Sequence, residues 1–319
     1  SPKNSDTHNA SRLWKNFDFG LQNLRDRNHT TLDPLKNQQD NDRMDTQRNE
    51  THPKLGLDDT ETQSAVQIKP VQHWHMTSGK CLHSLQDDEN QVYALDYNDE
   101  GSQFVTAGKD KVIRVFDEAT KSIVVSMQGG LGYSSKTTPG HSNRVFSTKF
   151  KPGDENVVVS GGWDNTVQIW DLRAGAAVRS IFGPHICGDA LDICGEEIVT
   201  GSWRQKDQLQ TWDFGTGNLI STVPWVANPL QSSGPACMLY AACFSKDGEG
   251  RFIGAGGSGS NEAKVFDHKN ANSIVGTITG LTRGVFTMDF SPDGTKVAVA
   301  GGDASIRILD LVNKAEVDE

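Results

Sequence analysis

The chain has 319 residues, with 31 Lys and Arg against 41 Asp and Glu and a formal net charge of −10. Residues 1–70 hold 10 of the basic and 11 of the acidic groups, so nearly all the excess negative charge lies in residues 71–319; that argues against a general nucleic-acid or anionic-membrane surface, both of which need a basic field. No apolar run reaches the length of a transmembrane helix, and the five cysteines, odd in number and mostly in strand-like runs, read as buried free thiols of a reducing compartment.

Residues 1–65 are rich in Asn, Asp, Gln and Arg, with few β-branched residues and no two-residue alternation. Such a segment buries too little apolar surface to offset its ordering entropy, and it is predicted to be mostly disordered. Within it, Ser11–Leu24 carries Trp14, Phe17, Phe19, Leu21 and Leu24, which suits either a short docking helix or an unattached segment. The sequons at Asn9, Asn28 and Asn49 are those expected by chance in an Asn-rich stretch.

From residue 66 the character changes. Residues 71–86 align without a gap on 167–182, placing Trp74 on Trp170 and Gly79 on Gly175, so they read as a hairpin. His73, His75, Cys81 and His83 lie on it at two-residue spacing, a pattern that would suit zinc. The turn is short, however, and His75 occupies a position held by Asp171 in the aligned segment, so no metal is assigned. Five related segments follow: TAGKDKVIRVFD (106–117), SGGWDNTVQIWD (160–171), TGSWRQKDQLQTWD (200–213), GGSGSNEAKVFD (256–267) and VAGGDASIRILD (299–310). Their closing Asp residues are 54, 42, 54 and 43 residues apart. A period in the forties with strand–turn–strand signals marks four-stranded propeller blades. The first strands of these blades begin near Val92, Arg144, Ala190, Met238 and Gly284. The prediction is an all-β propeller over residues 66–319 with five blades and the outer half of another. Three closures fit: a six-blade ring with a poor first blade, a seven-blade ring lacking its opening, or a fragment.

Polar residues inside the repeats have structural explanations. His141, Ser160, Asp164 and Trp170 have the spacing of one hydrogen-bonded chain, from indole to hydroxyl to imidazole to carboxylate; a buried Trp N–H needs such a partner. His185, Thr200 and Trp212 are expected to fill like roles in the next blade. The set lists the members of a catalytic triad, but its recurrence by repeat speaks for structure. The Gly-rich run 254–260 has neither a Gly-Lys-Ser/Thr sequence nor a helix behind it, so it reads as a wide turn. Two long loops, 129–140 and 226–237, account for the two 54-residue intervals. They flank two adjacent blades in which Trp163 and Trp203 take equivalent turn positions, with Lys109, Arg204 and Lys206 adding positive charge. These five residues are the candidate partner-binding set.

Through Gly140-His141 paired with Trp170-Asp171, and through the turns at Asp110, Asp164 and Asp303, the chain resembles the WD-repeat β-propeller family over residues 71–319. The resemblance implies a rigid scaffold for multiprotein assembly in the cytoplasm or nucleus, with protein partners and no cofactor or small-molecule substrate. The alternative is a propeller enzyme, a hydrolase or oxidoreductase that uses its central channel. It needs carboxylates or histidines where the first strands open, but those positions read Val92-Tyr93, Val145-Phe146, Ala190-Leu191, Tyr240-Ala241 and Val285-Phe286, all apolar.

Overall fold

The computed structural model describes residues 70–86, 90–131, 137–226 and 235–311. The predicted segment 1–65 lies outside them, as do residues 132–136 and 227–234 of the two long loops. Among the described residues there is no helix, and the strands form a series of antiparallel sheets in which neighbours in sequence are neighbours in space. A two-stranded hairpin comes first, β1 (Val71–His75) and β2 (Lys80–Leu85). Blade one is β3 (Val92–Tyr97), β4 (Gln103–Gly108), β5 (Ile113–Asp117) and β6 (Ile123–Met127). The short strands β7 (Gly130–Leu131) and β8 (Thr137–Thr138) pair at the neck of the first long loop. There Gly129 and Gly140 lie backbone to backbone, so a Cβ on either would collide with the other.

Blade two is β9 (Val145–Lys151), β10 (Asp154–Gly162), β11 (Thr166–Asp171) and β12 (Ala176–Phe182). Blade three is β13 (Leu191–Cys194), β14 (Glu197–Gly201), β15 (Leu209–Asp213) and β16 (Leu219–Thr222). Blade four is β17 (Met238–Phe244), β18 (Phe252–Ser258), β19 (Ala263–Asp267) and β20 (Ser273–Ile278). The fifth sheet has three strands, β21 (Val285–Phe290), β22 (Lys296–Gly301) and β23 (Ile306–Asp310). The first strands β3, β9, β13, β17 and β21 touch one another in that order and form the centre.

Each turn between second and third strands is built alike. Lys111, Asn165, Asp207, Asn261 and Ala304 all have positive φ, the left-handed region that reverses a chain tightly. In blades one, two and five the preceding Asp supports it: Asp110, Asp164 and Asp303 accept the backbone N–H two residues on, at 3.2, 3.1 and 3.2 Å. Burial then glues blade to blade. Trp170 packs with Val105, Ile113 and Val115 of blade one, Trp212 with Ile169, Val167 and Ile181 of blade two, and Met288 and Phe290 with Val265 and Cys243 of blade four. Removing such side chains from water, at about 25 cal/mol per Å² of apolar surface, is the main stabilising term.

Two sets of β-bulges break the ladders at repeating positions. On first strands the extra residue is aromatic: Tyr93, Phe146, Tyr240 and Phe286. On outermost strands it is an exposed aliphatic residue: Leu82, Val124, Val178, Ile220 and Val275. A bulge bends an edge strand away from regular pairing, which protects the free edge from adding another chain.

Candidate partner-binding face

In blade two the polar chain is complete. Trp170 Nε1–H donates to Ser160 Oγ at 2.7 Å, and Ser160 Oγ lies 2.7 Å from His141 Nε2. His141 Nδ1 lies 2.8 Å from Asp164 Oδ2, which also accepts the Ser142 N–H at 2.9 Å. The Ser160 hydroxyl thus accepts from the indole and is shared with the imidazole, which the Asp164 carboxylate holds from the other side. Burial pushes the Asp164 carboxyl up, but hydrogen bonds from His141, Thr166 and the Ser142 N–H outweigh it and leave the pKa below its ordinary value.

Blade three keeps only half of this arrangement. Trp212 Nε1–H donates to Thr200 Oγ1 at 2.9 Å, and that hydroxyl turns to the Gln210 carbonyl at 3.4 Å. His185, expected to continue the chain, does not. Its Nδ1 lies 2.8 Å from Asn165 Oδ1, which also accepts from Arg204 Nη2 at 3.2 Å. Arg204 stands where blade two has Asp164, so no carboxylate holds the imidazole, and the His185 carbonyl accepts the Trp203 N–H as that of Arg144 accepts the Trp163 N–H, which sets His185 at the place of Arg144 and not of His141. Burial and the Arg204 charge both lower the pKa of His185.

The candidate binding residues sit at one repeated position. The backbone N–H groups of Lys109, Trp163 and Trp203 each donate to the loop before the first strand of their blade, to Gln91, Arg144 and His185 at 3.0, 3.0 and 2.9 Å. Trp163 is 36 % exposed and Trp203 39 %. Lys109, Arg204 and Lys206 lie on the same turns, Lys109 and Lys206 exposed and Arg204 half-buried. Trp163 packs against Phe146 with centroids 4.9 Å apart, and Phe146 stacks on Tyr93 at 4.9 Å and 3°. The Arg144 guanidinium lies 5.3 Å from the Trp163 ring, close enough for cation–π attraction. Trp163 Nε1–H donates to Cys187 Sγ at 3.0 Å, while Trp203 lies 6.5 Å from Tyr240, which meets Phe286 edge-on at 5.3 Å. Gly188 ties the two groups together, because a Cβ there would strike the Tyr240 backbone.

Tyr93, Phe146, Tyr240 and Phe286 are therefore bulge residues aimed at this face, a role that reading them only as apolar strand starts misses. The signal was present: two apolar residues in succession break a strand's alternation, and that is what a bulge permits. Blade three has no bulge on its first strand and no aromatic there; Trp203 and Tyr240 stand beside the gap.

Farther along the first strands lies a second feature that the sequence reading left out. Asp96, Lys149, Asp192, Cys243 and Asp289 occupy equivalent register positions. Asp96 accepts the Phe150 N–H at 2.9 Å, and Asp192 accepts the Phe244 N–H at 3.0 Å together with Lys246 Nζ at 3.0 Å. Lys149 Nζ meets Asp189 at 3.0 Å, and Ser147 Oγ donates to the same carboxylate at 2.8 Å. Burial opposes the Lys149 charge, but Asp189, Asp96 and Asp192 outweigh it and hold its pKa above the ordinary lysine value. Burial raises Asp289 and, more strongly, Cys243. Asp96 and Asp192 thus cap the N–H groups of buried residues on the next blade's first strand, and Asp189 reaches back to the preceding one, a structural use of charge.

On the hairpin, His75 Nδ1 meets Ser78 Oγ at 2.8 Å, and the His73 and His83 rings are 6.4 Å apart. Among the described residues no three His, Cys, Asp or Glu side chains are grouped to hold a metal ion. Of the cysteines, Cys187, Cys237 and Cys243 are buried and Cys81 is exposed. No described helix is long and apolar enough to cross a membrane.

A family model, "WD domain, G-beta repeat", matches residues 79–117, 132–171 and 272–310. The chain is 22 % identical over 249 residues to "Autophagy-related protein 16" of Arabidopsis thaliana, covering 77 % of this chain and 44 % of the relative. It is 28 % identical over 258 residues to "Protein tipD" of Dictyostelium discoideum, covering 70 % and 40 %. It is 21 % identical over 284 residues to "APC/C activator protein CDC20" of Saccharomyces cerevisiae, covering 75 % and 44 %. The chain thus spans less than half the length of these relatives.

Proposed function

We propose, from the premise that the chain belongs to the WD-repeat β-propeller family, that it is a non-enzymatic scaffold. Its partner is a peptide or loop of another protein, held on the face that carries Trp163 and Trp203. The observation that carries this reading is the aromatic array itself. Two Trp side chains more than a third exposed rest on bulge-aimed rings, with Arg144 and Arg204 beside them. Large rigid aromatics and Arg dominate interface energetics when they fill a partner's pocket. The positive groups on an otherwise acidic body favour an apolar or acidic segment. A relative whose name describes it as an APC/C activator acts on a protein assembly, and we carry only that coarse role, work within a multiprotein complex in the cytoplasm or nucleus, to this chain. The enzyme reading is weakened by the central carboxylates, which are occupied in joining blades.

The test is the double variant Trp163→Ser, Trp203→Ser, compared with the unaltered chain by affinity purification and mass spectrometry. The melting temperature should stay within a few degrees while a specific set of partners is lost. Full partner retention by the folded variant would discard the face. The division at residues 65 and 66 is likewise a proposal from composition. Limited proteolysis that cuts first within residues 25–65 supports it, and protection there equal to residues 144–225 removes it.

A further inference from the structure

We propose that the segment held on the Trp163 and Trp203 face is acidic: it sets carboxylate side chains on Arg144 and Arg204, to either side of an apolar residue that meets the indoles. This rests on that face being the binding face and adds the chemistry of its occupant.

The turns between second and third strands handle charge in two ways. In blades one and five an arginine four residues on, in the third strand of the same sheet, matches the turn carboxylate. Arg114 Nη1 meets Asp110 at 2.5 Å, and Arg307 Nη2 meets Asp303 at 2.7 Å. Those cations are used within their own sheets. In blade two Gln168 takes the place of that arginine. The Asp164 side chain, only 3 % exposed, is satisfied from inside by His141, Thr166 and the Ser142 N–H. In blade three Arg204 stands at the place of the turn carboxylate, and the third strand carries Gln210.

The two arginines beside the 163–165 turn are therefore held by neutral groups. The Arg144 guanidinium lies 5.3 Å from the Trp163 ring. Arg204 Nη2 donates to Asn165 Oδ1 at 3.2 Å, an oxygen it shares with His185. Among the described residues no carboxylate forms an ion pair with either. Lys206 and Asp207, exposed neighbours on the blade-three turn, offset each other. One turn thus keeps its carboxylate inward and carries a guanidinium at each end, on a chain whose net charge is −10. A guanidinium is weakly hydrated and presents a planar fork of donors matched to a carboxylate. Two forks at opposite ends of a turn suit carboxylates on two side chains, and the exposed indoles suit an apolar residue between them.

Fluorescence anisotropy with two peptides carrying the same tetramethylrhodamine label tests this. One is Glu-Asp-Leu-Asp-Glu-amide and the other its neutral counterpart, Gln-Asn-Leu-Asn-Gln-amide. The unaltered chain should bind the acidic peptide about tenfold tighter, two exposed ion pairs' worth of affinity. That gap should close as salt rises from about 50 mM to about 500 mM. Arg144→Gln and Arg204→Gln should each cut the ratio about threefold, and the double variant should remove it. Arg144→Lys and Arg204→Lys, which keep the charge, should retain most of the preference, separating loss of charge from loss of structure. Equal binding of the two peptides, no binding of either, or a preference untouched by both Gln substitutions would each overturn the proposal. The face is judged apart from its occupant. Partner loss by the Trp163→Ser, Trp203→Ser variant upholds the face even where the acidic preference fails; undiminished binding of the acidic peptide by that variant removes both.

Discussion

Trp170→Ala and Trp74→Ala make the same chemical change at repeat-equivalent positions with opposite burial. At Trp170 the indole is fully enclosed and its N–H is bonded to Ser160. Truncation loses the transfer and cavity terms of a core aromatic, about 3–5 kcal/mol. It also takes one hydrogen bond from the Ser160 hydroxyl, about 1 kcal/mol more. At Trp74 the ring is mostly in water, and an exposed change of this kind costs within about 0.5 kcal/mol. Urea unfolding followed by far-ultraviolet circular dichroism measures both, with the slope checked for constancy. Trp170→Phe should fall between the two, because it keeps most of the apolar bulk and loses the N–H. Equal midpoint shifts for the two alanine variants would refute the assignment of blade-to-blade burial as the source of stability.

Ala304 holds φ at 58° in its turn, a conformation that costs an L-residue with a Cβ, so Ala304→Gly should raise stability by about 0.5–1 kcal/mol in the same titration. Asp164 is held below its ordinary pKa in the folded state. Its contribution is complete above the unfolded value of about 4 and is lost as pH falls through the lower folded one; Asp164→Asn should flatten the acid limb of a stability–pH curve. Asp192→Ala removes the acceptor of the buried Phe244 N–H and the partner of the exposed Lys246, a loss expected to cost about 1–3 kcal/mol by thermal or urea melting. In a thiol-labelling time course Cys81 should react first, while Cys187, whose pKa burial pushes up to about 11, waits for unfolding.

The repeat carried most of the fold into the sequence. Turn carboxylates at Asp110, Asp164 and Asp303, present in three of the five sheets, and the closing Asp of all five segments mark repeated positions, and they locate the strands. The His141 to Trp170 spacing could be read because each partner sits at a fixed register. His185 departs from that pattern because the turn of its own blade carries Arg204 in place of the carboxylate and because its carbonyl takes the place of Arg144. The charged first-strand positions are single charges inside apolar strands: Asp96 and Lys149 lie three or four residues past the strand openings, and Asp192 directly follows Leu191. The bulged aromatics leave a trace in the sequence, two apolar residues in succession, but which of the two is the extra residue is fixed only by pairing with the neighbouring strand.

The bulges on the outermost strands bear on how such a chain tolerates changes in length. Val178 has no partner across the ladder: Trp170 faces Ala177 and Ile169 faces Arg179. Deleting Val178 would bring those flanking residues into unbroken register and leave the turn at Gly175 and the other three strands where they are. Leu82, Val124, Ile220 and Val275 occupy the same kind of place. Each described outer strand therefore holds one residue of slack, and single-residue insertions and deletions should be absorbed at this rim, while the same change in a third strand would turn a buried face outward.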